Sequence, residues 1–225
     1  MTSYKEVYDL NRLIKNDPRL VNLDACELNS IRFGYLKFAI SYFMYDCRKD
    51  LNNRYDPEST AYEFEGDGQE TEFILHPAPP MQAECVVYLI QENEERTQIK
   101  DFTYDQELQS IYFRVPPAPG TGIIVKVFTV GAFEEDLDLR ELNILAEGMN
   151  VPYLEEAKND ENAMKYIISG RSLKFFSQAN HITAMNETVN AQKYYMLDHL
   201  ISEYSYKGNE DGYSRLAGRD RKSVV

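Results

Sequence analysis

The chain predicts an α+β protein: a helical bundle built from both chain ends, with an inserted antiparallel β-sandwich or small β-barrel module and an extended C-terminal arm. Three observations predict it. Apolar residues recur at helical spacing over the first sixty residues and again after residue 134, the period switches to 2 between about Tyr62 and Phe133, and Gly208, Gly212 and Gly218 interrupt the final stretch. The expected division is therefore residues 1–60 with 134–206 as the helical domain, 61–133 as the β-module and 207–225 as the arm.

Ser3-Tyr4-Lys5-Glu6 reads as a capping box that opens a first helix to about Lys15, and Asp24-Ala25-Cys26-Glu27 repeats the logic before a longer helix to about Asn53. That second helix carries two apolar stripes, one through Leu28, Ile31, Tyr35, Phe38, Tyr42 and Tyr45, the other through Leu36, Ile40, Phe43, Cys47 and Leu51. A helix apolar on two sides needs a partner on each. Pro18 and Asp56-Pro57 punctuate its surroundings. About six short strands follow, among them a half-buried one in which Ile111, Phe113 and Val115 alternate with Ser110, Tyr112 and Arg114, and a continuous apolar run from Cys85 to Ile90 suited to burial on both faces. Their connections are too short for helical crossovers, so the pairing should be antiparallel. Beyond Phe133 three helices are expected: Asp136 to Gly148, one capped by Asp160 and running to about Ala179, and Thr188 to Tyr206 with Tyr194, Leu197, Leu200, Ile201 and Tyr204 on one face.

With 43% apolar residues in 225 the chain can bury a real core, and a net charge of −13 argues against non-specific nucleic-acid binding, which rests on Lys and Arg. The charge is uneven. Residues 61–133 hold twelve acids and four bases, whereas residues 208–225 hold three acids and four bases. That contrast suits contact between neighbouring subunits of opposite local sign, or serves solubility alone. Cys26, Cys47 and Cys85 lack metal-ligand spacing; on one continuous helix the first two would lie roughly 31 Å apart, beyond disulfide reach. They read as small core residues. No apolar run approaches the roughly 20 residues that cross a bilayer, and no secretory segment is visible, so synthesis and assembly in cytoplasm are expected.

Candidate chemistry is sparse. His199 and Glu203, at i and i+4, could begin a metal site, but nothing places a third ligand. Glu134, Glu135, Asp136, Asp138 and Glu141 suit a helix start, where the macrodipole favours acids, better than paired-carboxylate hydrolysis. Gly66-Asp67-Gly68 lacks the third glycine and following helix of a dinucleotide loop and reads as a β-turn. The expectation is no catalytic residue, no cofactor and no metal. Seventeen tyrosines without a tryptophan point instead to assembly, since tyrosine is enriched at subunit contacts. The interface candidates are Tyr194, Tyr195, Tyr204, Tyr206 and Tyr213, with Leu216, Arg219 and Arg221 of the arm.

The β-block carries a resemblance. Gly66, Asp67 and Gly68 are followed by Thr71 and Phe73, Pro79 and Pro80, Val86 to Tyr88, Asp101 to Thr103, Ile111 and Phe113, Pro116 to Gly120, and Val125 to Phe128. This series resembles a small β-module common in tailed-phage virion proteins, over about a third of the chain; the Asn-Gly turn usual after the Val-Tyr strand is replaced by a charged loop from Gln91 to Gln98. The order of elements also resembles, in architecture alone, the head-to-tail adaptor proteins of short-tailed phages. What the resemblance implies is a non-enzymatic connector, neck or adaptor subunit of a virion, forming a ring with copies of itself between portal and tail. A fibre-attachment or host-recognition module of the tail is the alternative, although no repetitive stalk is present, and a glycan-degrading virion enzyme is a third.

Overall fold

The computed structural model describes residues 1–80, 82–91, 95–157 and 178–207, except for the side chains of 178–182, 197, 198 and 207. The expected helix beginning at Asp160 and the arm from residue 208 lie outside them. The chain is α+β, with ten strands in three antiparallel sheets and no closed barrel among the described residues. By its contacts it divides into two units, Met1–Lys5 with Asp17–Gly34 and Arg54–Glu134, and Glu6–Asn16 with Tyr35–Asn53 and Glu135–Val225.

The first unit is a β-sandwich with a helix on one outer face. β1 (Thr2–Ser3) pairs with β10 (Ala132–Phe133), which pairs with β2 (Arg54–Tyr55) in a small sheet of its own. A four-stranded sheet runs in the order β3 (Ser59–Glu65), β9 (Gly122–Phe128), β5 (Glu84–Ile90) and β6 (Arg96–Ile99). A three-stranded sheet runs β4 (Glu72–Ile74), β8 (Ser110–Phe113) and β7 (Phe102–Asp105). Both sheets contribute to one core in which Tyr62, Phe73, Leu75, Val87, Ile111 and Val125 meet. The period of 2 explains the layering: Ile123, Val125 and Val127 of β9 point into this core, while Phe128 turns to the opposite face and packs with Val86 and Cys26. β5 is thus covered on both sides, as its apolar run requires. The hairpin β5–β6 forms despite the missing Asn-Gly, pairing Val87 with Ile99 through Ile90 with Arg96. Val115 departs from the expected alternation: β8 ends at Phe113, and Val115 is 71% exposed.

That outer face explains why residues 17–34 group with the β-strands rather than with the helical domain. Helix α3 (Ala25–Phe43) begins with the expected capping box, in which the Glu27 amide donates to Asp24 Oδ1 (2.8 Å) and the Asp24 amide to Glu27 Oε2 (3.3 Å). Its first turns lie on the four-stranded sheet through Cys26, and Asn29 Nδ2 donates to the Thr129 carbonyl (2.9 Å). The helix ends at Phe43, ten residues before Asn53.

The second unit is helical. The expected first helix is broken: α1 (Tyr4–Leu10) stops at buried Asn11, whose Oδ1 caps α2 (Arg12–Lys15) through the Ile14 amide (2.9 Å). Asn11 Nδ2 meanwhile donates to the Ala146 carbonyl and to Asn150 Oδ1. α4 (Leu139–Ala157) passes through Gly148 instead of ending there, because the glycine serves packing. A Cβ at 148 would stand 2.6 Å from Met196 Cε and 2.7 Å from Ala39 Cβ. The C-terminal helical run comprises α5 (Gln178–Tyr194), a π-helical stretch over Tyr195–Ile201 and α6 (Ser202–Lys207). It lies antiparallel to α4, with Gln192 bonded to Glu147 and Tyr204 to Glu141. The later turns of α3 complete the core: Tyr35 donates to Glu156 (2.7 Å) and Phe43 meets Tyr204 edge to face at 5.1 Å.

Candidate functional site

Among the described residues three places carry unusual chemistry. The first joins the two turn motifs of the β-block, some fifty residues apart in sequence. Asp67 Oδ1 accepts from the amides of Gln69 and Glu70, both at 2.7 Å, which folds the turn, and these bonds hold its carboxyl below the usual carboxylate value. Gly66 N donates to the Thr121 carbonyl (2.8 Å), Gly68 N to Pro117 (2.9 Å) and Gly120 N back to Gly66 (2.9 Å). The glycines are obligatory here: a Cβ at Gly66 would lie 2.7 Å from the Ala118 carbonyl, and Gly68, at φ +79°, lies against the Pro119 ring. Gly-Asp-Gly and Pro-Pro-Ala-Pro-Gly are two halves of one clasp.

The second place is the C-terminal helical run. Tyr194, Tyr195 and Tyr206 are exposed, at 68, 41 and 74%, and the Tyr195 ring meets His199 at 5.5 Å. Tyr204 is a correction. It is only 4% exposed, its hydroxyl donates to buried Glu141 at 2.5 Å, and the guanidinium groups of Arg48 and Arg140 each lie 5.5 Å from its ring. Burial and the Glu141 carboxylate both push its phenol up. The expected single face fails because the π-stretch adds a residue to one turn: Met196, Ile201 and Tyr204 point inward at spacings of five and three, leaving Tyr194 outside. Tyr213, Leu216, Arg219 and Arg221 lie outside the described residues.

The third place was not anticipated. Asp24, already the cap of α3, accepts from Lys126 Nζ (2.7 Å) and from the Tyr88 hydroxyl (2.6 Å), and Lys126 also reaches Glu27 (3.3 Å) and sits 5.3 Å from the centre of the Tyr88 ring. Burial opposes ionisation of Asp24, but the bonds from Lys126, Tyr88 and the Glu27 amide outweigh it and hold the carboxyl low. Lys126 borders an open groove of about 530 Å³ between the start of α3 and β3, lined also by Leu23, Ile31, Ser59, Thr60 and Ala61. A single lysine in a Val-rich strand was the available signal for this network.

Asp138 and Glu141 form a second reciprocal capping box, at 2.9 Å in each direction, so the acidic run does start a helix. Among the described residues no group of three or more His, Cys, Asp or Glu could hold a metal ion, and no helix is long and apolar enough to cross a membrane. The three cysteines are unbridged; burial pushes the Cys47 and Cys85 thiols up to about 11, which keeps them protonated and poorly nucleophilic at neutral pH. No known family model matches the chain, and no curated protein matches it.

Proposed function

We propose that the chain is a non-enzymatic structural subunit of a tailed-phage virion, a connector, neck or adaptor protein that forms a ring with copies of itself between portal and tail. The clasp carries this reading: the Gly-Asp-Gly and Pro-Pro-Ala-Pro-Gly motifs, on which the resemblance to phage β-modules rests, hold one another through two backbone hydrogen bonds, with a third from Gly66 to the adjoining Thr121. A second support is the unused stripe of α3. Tyr35 is buried, but Phe38 is half-buried and Tyr42 is 42% exposed, with their rings 4.6 Å apart, and Tyr45, in the turn just after the helix, is 72% exposed. Aromatic residues at helical spacing on an open face suit contact with another subunit.

Sedimentation velocity on the purified chain, alone and mixed with portal rings encoded in the same genome, tests the proposal. Co-sedimentation with the rings at a fixed ratio supports it. A chain that stays monomeric and never joins the portal opposes it.

A further inference from the structure

β3 is the longest strand at any sheet edge among the described residues, with seven residues against four in β6 and β7. One side pairs with β9 without interruption from Ser59 to Glu65, and among the described residues no strand pairs with the other. Soluble proteins ordinarily shorten, bulge or cover such an edge, because its unpaired amides and carbonyls template another strand. β3 has neither a proline nor a bulge within it. The open groove between the start of α3 and β3 supplies apolar walls from Leu23 and Ile31, while Ser59, Thr60 and Ala61 of the strand are exposed.

Charge selects the occupant. Glu58, Glu63 and Glu65 are exposed along the edge, β3 contains no base, and Lys126 at the groove is held by Asp24 and Glu27. Two β3 edges brought together would oppose like charges, which disfavours self-pairing. An extended basic segment would neutralise them. Residues 215–225 of the chain, outside the described region, hold four bases, Arg215, Arg219, Arg221 and Lys222, against the single acid Asp220, with Leu216, Val224 and Val225 as apolar side chains. Eleven residues are enough to pair a seven-residue strand.

We propose that the open edge of β3 and the adjoining groove receive residues 215–225 of a neighbouring copy as an added strand. Main-chain bonds to the edge give affinity, the carboxylates give sign selectivity, and the groove takes the apolar side chains. This linkage rests on the reading of the chain as a ring-forming subunit and specifies how one copy holds the next.

The test uses the full chain with the photo-reactive amino acid p-benzoylphenylalanine placed at Ala61, and in a second preparation at Glu65 in case the probe blocks the groove. Equal amounts of isotopically light and heavy chain are mixed, illuminated, digested and examined by mass spectrometry. The expected result is heavy–light peptides joining position 61 or 65 to residues 215–225. With the probe at Ala61, Glu63→Lys with Glu65→Lys should lower their yield about tenfold, and adding Arg219→Glu, Arg221→Glu and Lys222→Glu should restore it. Restoration in the combined variant rules out misfolding as the cause of the loss. Cross-links confined to one isotope, cross-links from both positions only to other peptides, or a yield indifferent to charge reversal would each overturn the proposal. Co-sedimentation with portal rings reads the parent proposal separately: a chain that joins the portal yet gives no such cross-link overturns the added strand alone.

Discussion

Asp24 does two jobs with one carboxylate, capping α3 through the Glu27 amide and receiving Lys126 and Tyr88 from the sheet below. Its folded pKa lies below the ordinary 3.8, so its contribution to stability is present above that value and is lost as pH falls through the folded one. Asp24→Asn should cost about 1–3 kcal/mol at pH 7, and the gap to wild type should narrow below pH 4, as read by melting temperature against pH. A constant gap across that range would remove the carboxylate from the account. Tyr204→Phe leaves Glu141 without its hydroxyl donor in a buried site and should destabilise by about 1–3 kcal/mol in urea unfolding. Gly66→Ala pushes a methyl into the Ala118 carbonyl and should lower the melting temperature by several degrees, roughly 1–3 kcal/mol, whereas alanine at Gly34, where nothing lies within 4 Å of the added carbon, should be tolerated.

Periodicity reads an element only as far as its neighbours let the period hold. Ile111 and Phe113 of β8 are buried and Tyr112 is half-exposed with its hydroxyl on Glu72, as alternation requires, so Ile111→Asp should unfold the sandwich while Tyr112→Asp leaves its circular dichroism intact. The capping box at Asp24 was equally legible, because it is a bond between residues three apart, whereas the one at Asp138 was read only as an acidic helix start. The failures have tertiary causes. Buried Asn11 breaks the first helix to reach Ala146, and nothing within a few residues of it announces that partner. Gly148 looked like a helix end but marks close helix packing. Gly148→Leu should therefore cost roughly 1–3 kcal/mol or more through overpacking, and Met196→Ala in the same chain should recover part of it. The π-stretch over Tyr195–Ile201 is likewise silent in sequence, and it turns Tyr194 out of the face that Ile201 and Tyr204 share.

At the scale of the whole molecule, α+β class and antiparallel pairing were readable from the change of period, while the membership of the units was not. Residues 17–34 join the β-strands because Cys26 packs with Val86 and Phe128, and because Asn29 bonds the Thr129 carbonyl; these contacts span sixty to a hundred residues of sequence. Deleting residues 61–133 would leave Cys26 without that packing and Asn29 without its partner, so the shortened chain should melt with lower cooperativity than a simple insertion would allow. Of the surface, the contact candidates Tyr194, Tyr195 and Tyr206 are exposed, whereas the Asp24–Lys126–Tyr88 network and the β3 groove required the fold to bring distant residues together. The proposal to be tested, which rests on the resemblance of the β-block, is that the chain is a building block of a tailed-phage particle. Quantitative mass spectrometry of purified particles, with isotope-labelled peptides of this chain and of the portal protein as standards, tests it most directly. The expected result is the chain present at a fixed ratio to the portal from one preparation to the next, and its absence from the particles, or a ratio that falls with each round of purification, would contradict the claim.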